Sequence, residues 1–153
     1  MTDNVRIIEV EGPLGGADLE RLAQVNQAIF GFNETAENLG HCFGDKRSVL
    51  LLLALRGEEP VAFKVGFSDE PGSFESWRGG VVESARRLGL ARRLMDQQHK
   101  WCANQGFRVI KTTTNGDNPA MLILNLQSGF RVVGTFVNRM NRVKVLQEKC
   151  LDG

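Results

Sequence analysis

The stretch Val81-Val82-Glu83-Ser84-Ala85-Arg86-Arg87-Leu88-Gly89-Leu90-Ala91-Arg92-Arg93-Leu94-Met95 constrains this chain more than any other. An apolar, strand-like approach turns within a few residues into an amphipathic helix. A helix start carries backbone N–H groups with no partner inside the helix, and Gly89 and Ala91 leave room for a ligand to reach them. Arg86, Arg87, Arg92 and Arg93 make the local field positive. An anion is the natural guest, each charge-assisted bond contributing about 1.5–3 kcal/mol and the helix dipole roughly 0.3–1 kcal/mol more. The junction therefore points to an anionic cofactor.

The rest of the composition narrows where that anion comes from. Lys plus Arg total 19 against 18 for Asp plus Glu, a net charge of +1, so nothing attracts nucleic acid or a membrane in general. Phosphate affinity must be local. No basic surface is interleaved with aromatics as a nucleic-acid platform would be. The 153 residues fit one domain over 1–153, large enough to need no disulfide or metal staple. Cys42, Cys102 and Cys150 are an odd number without paired-ligand spacing, which reads as reduced thiols and no metal site, with Cys102 at a core position of a helix. The amino terminus, Met1-Thr2-Asp3-Asn4-Val5-Arg6, leads into no long apolar stretch, and no run approaches the roughly 20 residues of a membrane span. A cytoplasmic protein is the expectation.

Hydrophobic period and turn residues give an element order of β-α-α-β-β-β-α-β-α-β-β. A first strand over 5–10 ends at Gly12-Pro13-Leu14-Gly15-Gly16, and Leu19, Leu22, Ala23, Asn26, Ile29 and Phe30 then recur at helical spacing. A short helix over 34–39 precedes a loop over 41–47. Strands over 48–55 and 60–67 form a hairpin, and a longer strand runs over 73–82. Its Gly79-Gly80 pair predicts either a bulge or a close backbone approach. The long helix covers 88–104 with Gly106 behind it as a cap. After a strand over 107–114, Asn118-Pro119 opens another helix with a capping side chain and a proline that needs no donor. Strands over 130–137 and 143–147 close the chain. Val143-Lys144-Val145-Leu146 either leaves an apolar edge for a homodimer or finishes the sheet of one chain.

At this point two motifs resemble a known family. Arg86-Arg87-Leu88-Gly89-Leu90-Ala91 resembles the Gln/Arg-x-x-Gly-x-Gly/Ala signature of the GNAT N-acyltransferases, and Asn118-Pro119-Ala120-Met121-Leu122-Ile123-Leu124-Asn125-Leu126-Gln127-Ser128-Gly129-Phe130 resembles their second cofactor segment. The element order extends the likeness to nearly the whole chain. The resemblance implies the α/β GNAT fold, a mixed and mostly antiparallel sheet flanked by helices and splayed at the cofactor site. It implies acetyl-CoA as acyl donor, with no metal. Val81 and Val82 would present main chain to the pantetheine, Arg86 would bracket the pyrophosphate held by Arg87, Leu88, Gly89, Leu90 and Ala91, and Asn118 would lie near the pantetheine end.

Transfer from a thioester to an amine needs a base, since a lysine-like amine is mostly protonated at pH 7, a handicap of roughly 4–5 kcal/mol. Glu75 and Glu83 are the candidates, both on or next to the strand that leads into the turn. No cysteine has the neighbours of a nucleophile, so direct attack in a ternary complex is expected. His41 falls in the loop, and His99 borders the long helix. Where many family members carry a tyrosine there stands Asn125, and the chain has no tyrosine at all. Asn125 is left to hydrogen-bond the sulfur region or a water. Phe63, Phe67, Phe74 and Trp77 either surround a small-molecule amine or peptide acceptor or form sheet core. Arg78 either meets an acceptor carboxylate or lies on the surface. The alternative from another class is a nonenzymatic acyl-CoA-binding regulator.

Overall fold

A computed structural model describes residues 4–31 and 33–151; Met1, Thr2 and Asp3 of the amino-terminal stretch lie outside them. The elements are β1 (Val5–Glu11), α1 (Gly16–Phe30), α2 (Ala36–Phe43), β2 (Ser48–Arg56), β3 (Glu59–Glu70), β4 (Ser73–Val81), α3 (Leu90–Asn104), β5 (Val109–Asn115), α4 (Pro119–Gln127), β6 (Arg131–Val137) and β7 (Val143–Cys150), with a 3-10 turn at Glu83–Ala85. The strands form one sheet in the order β1-β2-β3-β4-β5-β7-β6. Only β4 and β5 run parallel; every other neighbouring pair is antiparallel.

The unbroken apolar run of β2 explains the layering. Leu51, Leu53 and Leu55 pack with Leu22 and Val25 of α1 and Leu39 and Phe43 of α2. Leu50, Leu52 and Ala54 pack on the opposite face with Leu90, Leu94, Trp101 and Cys102 of α3. A strand covered on both faces has no solvent side on which to place polar residues. The sheet is thus sandwiched between α1 and α2 on one face and α3 on the other.

Several boundaries move for local reasons. The short helix starts at Ala36 because the Thr35 hydroxyl accepts the Asn38 N–H at 3.1 Å, and it takes in His41, Cys42 and Phe43 of the expected loop. Phe43 is drawn in by burial, its ring 5.5 Å from Trp77 and 6.4 Å from Phe67. The long helix starts at Leu90 and not at residue 88, since Arg87 (φ 71°) and Gly89 (φ 72°) are left-handed and no helix passes through them. Gly106 (φ 86°) follows it as expected. The last strand does not form an edge: β7 inserts antiparallel between β5 and β6, so residues 143–146 finish the sheet of the single chain.

The bulge is also elsewhere. Gly79 and Gly80 pair in register with Lys64 and Phe63, whereas Val65 faces Arg78 and Gly66 faces Ser76, which leaves Trp77 as the extra residue. Gly80 instead permits close approach, because a Cβ there would stand 3.0 Å from Ile29 of α1. At Gly66 a Cβ would fall 2.4 Å from both the Glu75 carbonyl oxygen and the Phe74 ring. The slip thus sits where the strands come closest. It also breaks the alternation, so that Trp77 and Arg78 both turn towards α1. Gly66→Ala should cost about 1–3 kcal/mol in chemical denaturation through this overlap; unchanged stability would show that the contact relaxes freely.

Candidate active site

The parallel pairing of β4 with β5 extends only from Ser73 opposite Val109 to Ser76 opposite Thr112. Beyond it β4 stays with β3, and Thr113, Thr114 and Asn115 stay with β7. A cleft of 620 Å³ fills the gap, with Glu75, Trp77 and Arg78 on one wall and Thr113, Asn118 and Lys144 on the other. Val82 donates its N–H to the Val61 carbonyl at 2.9 Å. Antiparallel ladders alternate, so the N–H groups of Val81 and Gly79 point away from β3 and across the split. Of the two valines expected to present main chain, Val81 is the one whose amide faces the opening. The Val82 amide is consumed by the ladder.

At the far end of β4 the chain makes the 3-10 turn and then the two left-handed residues. Arg86 Nε donates to the Val81 carbonyl at 3.4 Å, bracing the loop against the strand. The first backbone bond of α3 runs from Arg93 N–H to Gly89 O at 3.0 Å, and the N–H groups of residues 87–92 have no backbone partner among the described residues. No side chain caps this end and no acidic residue lies in its first turn. A Cβ on Gly89 would meet nothing within 4 Å. Gly89 is therefore required by its backbone angle, and the space above the amides is open. Successive N–H groups in such a turn form a concave anion site. Arg86, Arg87, Arg92 and Arg93 are all exposed around it, Arg92 in an ion pair with Asp96 at 3.4 Å.

The two carboxylate candidates separate in the structure. Glu75 lines the cleft, and burial pushes its carboxyl up to about 7, with Lys111 opposing the shift and Asp69 adding to it. Glu83 is exposed on the 3-10 turn and is not part of the cleft wall. Arg78 is not a surface residue: it lines the cleft and is held in an internal cluster. Its Nη1 lies 2.6 Å from Glu34 Oε1 and 3.1 Å from Asn26 Oδ1, and its guanidinium stacks 4.1 Å from the Trp77 ring. Asn26 also donates to Glu34 at 3.0 Å. This cluster ties β4 to α1. Only Asn26 signalled it in sequence, as a polar residue at a core-facing helical position.

Asn118 caps α4, its Oδ1 accepting the Met121 N–H at 3.3 Å, and also lines the cleft. Asn125 is buried, and its amide donates to Gln147 Oε1 at 2.8 Å and Thr114 Oγ1 at 3.4 Å. It therefore braces α4 against β5 and β7. Phe63 and Phe74 are core, while Phe67 and Trp77 both pack and line the cleft. His41 is exposed on α2. His99 is buried against Phe130, and burial, assisted by Lys149, pulls its imidazole down to about 3. Cys102 is buried and its thiol is pushed up to about 12, which leaves it unreactive. Lys64, absent from the expected site, reaches the cleft from β3.

The acetyltransferase (GNAT) family profile matches residues 19–130, a span that holds both the amide cradle and the split. The chain belongs to the GNAT acetyltransferase family. Solved structures agree on the fold. The ribosomal-protein alanine N-acetyltransferase of Escherichia coli superposes with a TM-score of 0.79 at 14% identity, covering 95% of this chain and 96% of that one. The Ard1 protein of Thermoplasma volcanium gives 0.77 at 15% identity, over 95% and 99% of the two chains. An N-acetyltransferase of Staphylococcus aureus gives 0.77 at 18% identity, over 97% and 99%. No curated protein matches the sequence. No helix among the described residues is long and apolar enough to cross a membrane.

The raised carboxyl of this GNAT protein has a consequence for stability. Glu75 holds its proton more tightly folded than unfolded, so its stabilising contribution is complete below about 4.5 and is lost as pH rises through about 7. Glu75→Gln removes that loss. Thermal melts across this range should show the variant gaining on the parent as pH increases; parallel curves would mean that the carboxyl is not perturbed.

Proposed function

We propose that this protein transfers the acetyl group of acetyl-CoA to an amine by direct attack in a ternary complex, with Glu75 as general base. The observation that carries this reading is that one strand edge, the free side of β4, joins a partnerless amide cradle to a desolvated carboxyl. The residues present fit the donor. The N–H groups of residues 87–92, bracketed by Arg86, suit a diphosphate, and the outward amide of Val81 suits the peptide-like pantetheine arm, with Asn118 across the gap. Acetyl-CoA supplies an acyl carbon already activated as a thioester.

The protein's own groups then have three tasks. Glu75, as carboxylate, accepts the proton of the attacking amine directly or through an ordered water, and its near-neutral pKa matches a general base working around pH 7. The Gly79 N–H, the nearer of the two to Glu75 along β4, faces the negative charge that develops on the carbonyl oxygen. Trp77, held by Arg78, gives the acceptor a flat wall. Asn125, tied to Gln147, carries no proton to the leaving thiolate, which is stable enough to depart without one. The acceptor is a small-molecule amine or a peptide amine. Because one structural neighbour is a ribosomal-protein alanine N-acetyltransferase, peptide N-termini belong among the amines tested.

The test is acetyl-CoA-dependent acylation over chemically grouped amines, with mass detection of product. The wild-type rate should rise as pH passes through about 7, and Glu75→Gln should lower kcat/KM by about 10²–10⁴-fold while CoA still binds. Binding without transfer to any amine would make the protein a nonenzymatic acyl-CoA-binding regulator. In calorimetry, Gly89→Val, which forbids the left-handed turn, should weaken CoA by at least about tenfold, or roughly 1.4 kcal/mol; unchanged affinity would remove the cradle from the account.

A further inference from the structure

We propose that Lys64 is a self-acetylation site, its amine taking the acetyl group of acetyl-CoA held in the split between β4 and β5. The inference rests on the reading of that split as the acetyl-CoA site.

Lys64 sits on β3 opposite Gly79. Its neighbours Phe63 and Val65 pack towards α1 and α2, so Lys64 emerges on the α3 face. A Cβ on Gly79 would lie 3.3 Å from Lys64 Cγ, so the bare glycine lets the lysine chain pass close under β4 towards the gap. There Lys64 lines both the wide cleft and a narrow 30 Å³ pocket that continues it along α3 and α4. Only Gly79 and Met121 share that position, and neither carries a nucleophile.

The other cations of the region are engaged. Arg78 is held by Glu34, Lys46 by Asp69 at 3.0 Å, Lys111 by Glu70 at 3.1 Å and Lys144 by Asn115 at 2.5 Å. Lys64 makes no hydrogen bond or ion pair with another described residue. Part of its chain stays open to the cleft, but its ammonium is withdrawn from water, and that desolvation brings it down to about 8. Against an ordinary lysine, the neutral share at pH 7 rises roughly 300-fold.

In the step itself, the neutral Nζ attacks the thioester carbonyl carbon. The C–N bond forms, the C–S bond breaks, and the surplus amine proton passes to the departing thiolate. The products are Nε-acetyllysine and CoA thiol. The modification removes a charge and adds bulk where the wide cleft meets the narrow pocket, beside Gly79, so the modified chain reloads poorly.

The experiment first measures acetyl-CoA binding to wild-type protein by calorimetry, and then follows acetylation without added amine by peptide mapping over time. The expected result is acetyl on Lys64 ahead of Lys144 and Lys100, saturating at one group per chain, with an equal release of CoA thiol. Excess CoA should slow labelling at Lys64 and leave surface lysines unaffected, and Lys64→Arg should cut total uptake to the surface level. A chain that binds acetyl-CoA yet leaves Lys64 unmodified, or labels it no faster than when unfolded in urea, overturns the inference alone. Failure to bind acetyl-CoA overturns the proposed function as well.

Discussion

Everything at this site depends on the parting of β4 from β5. The two strands share a short parallel ladder that stops at Ser76 and Thr112, and the extra residue at Trp77 turns β4 away immediately afterwards. A closed ladder would spend the amides of Gly79 and Val81 on β5 and bury the gap. Because the ladder is open, one edge of a central strand stays unpaired within the sheet, while β3 pairs with its other edge and α3 packs against it. The close approach at Gly66 and the packing of Gly80 on Ile29 fix β4 on its other side, so the opening has a defined shape.

That opening also sets the electrostatics. Arg78 is neutralised by Glu34, and Lys46 and Lys111 by acidic neighbours, which leaves Glu75 and Lys64 as groups whose ionisation is governed mainly by loss of water. Desolvation raises the acid and lowers the base, so both approach neutrality inside one cavity. At the other end of β4 the balance is reversed: amides without partners lie exposed among arginines, which favours charge instead of suppressing it. A polar diphosphate and a neutral reacting amine thus each meet a suited environment along one strand edge.

The sequence made the local parts of this arrangement legible. The unbroken apolar run of β2, the capping pair Asn118-Pro119 and the glycine at the start of α3 each carry their structural reason in adjacent residues. Glu75 was legible as a candidate but not separable from Glu83, because burial and not spacing distinguishes them. What stayed hidden depends on contacts between distant segments. The paired glycines drew the bulge to Gly79-Gly80, whereas the overlap that marks its place lies across strands, at Gly66 against Phe74 and Glu75. The partners of Arg78 are 44 and 52 residues away. Insertion of β7 between β5 and β6 is a choice of partner that a hydrophobic pattern does not record, and the path of Lys64 beneath a glycine on the next strand is of the same kind.

The most direct measurement is a crystal structure of the protein with CoA. The account expects the diphosphate on the N–H groups of residues 87–92 and the pantetheine along Val81, with the sulfur in the split that Glu75 lines. A diphosphate bound elsewhere, or β4 and β5 paired beyond Thr112 with the gap closed, would contradict it.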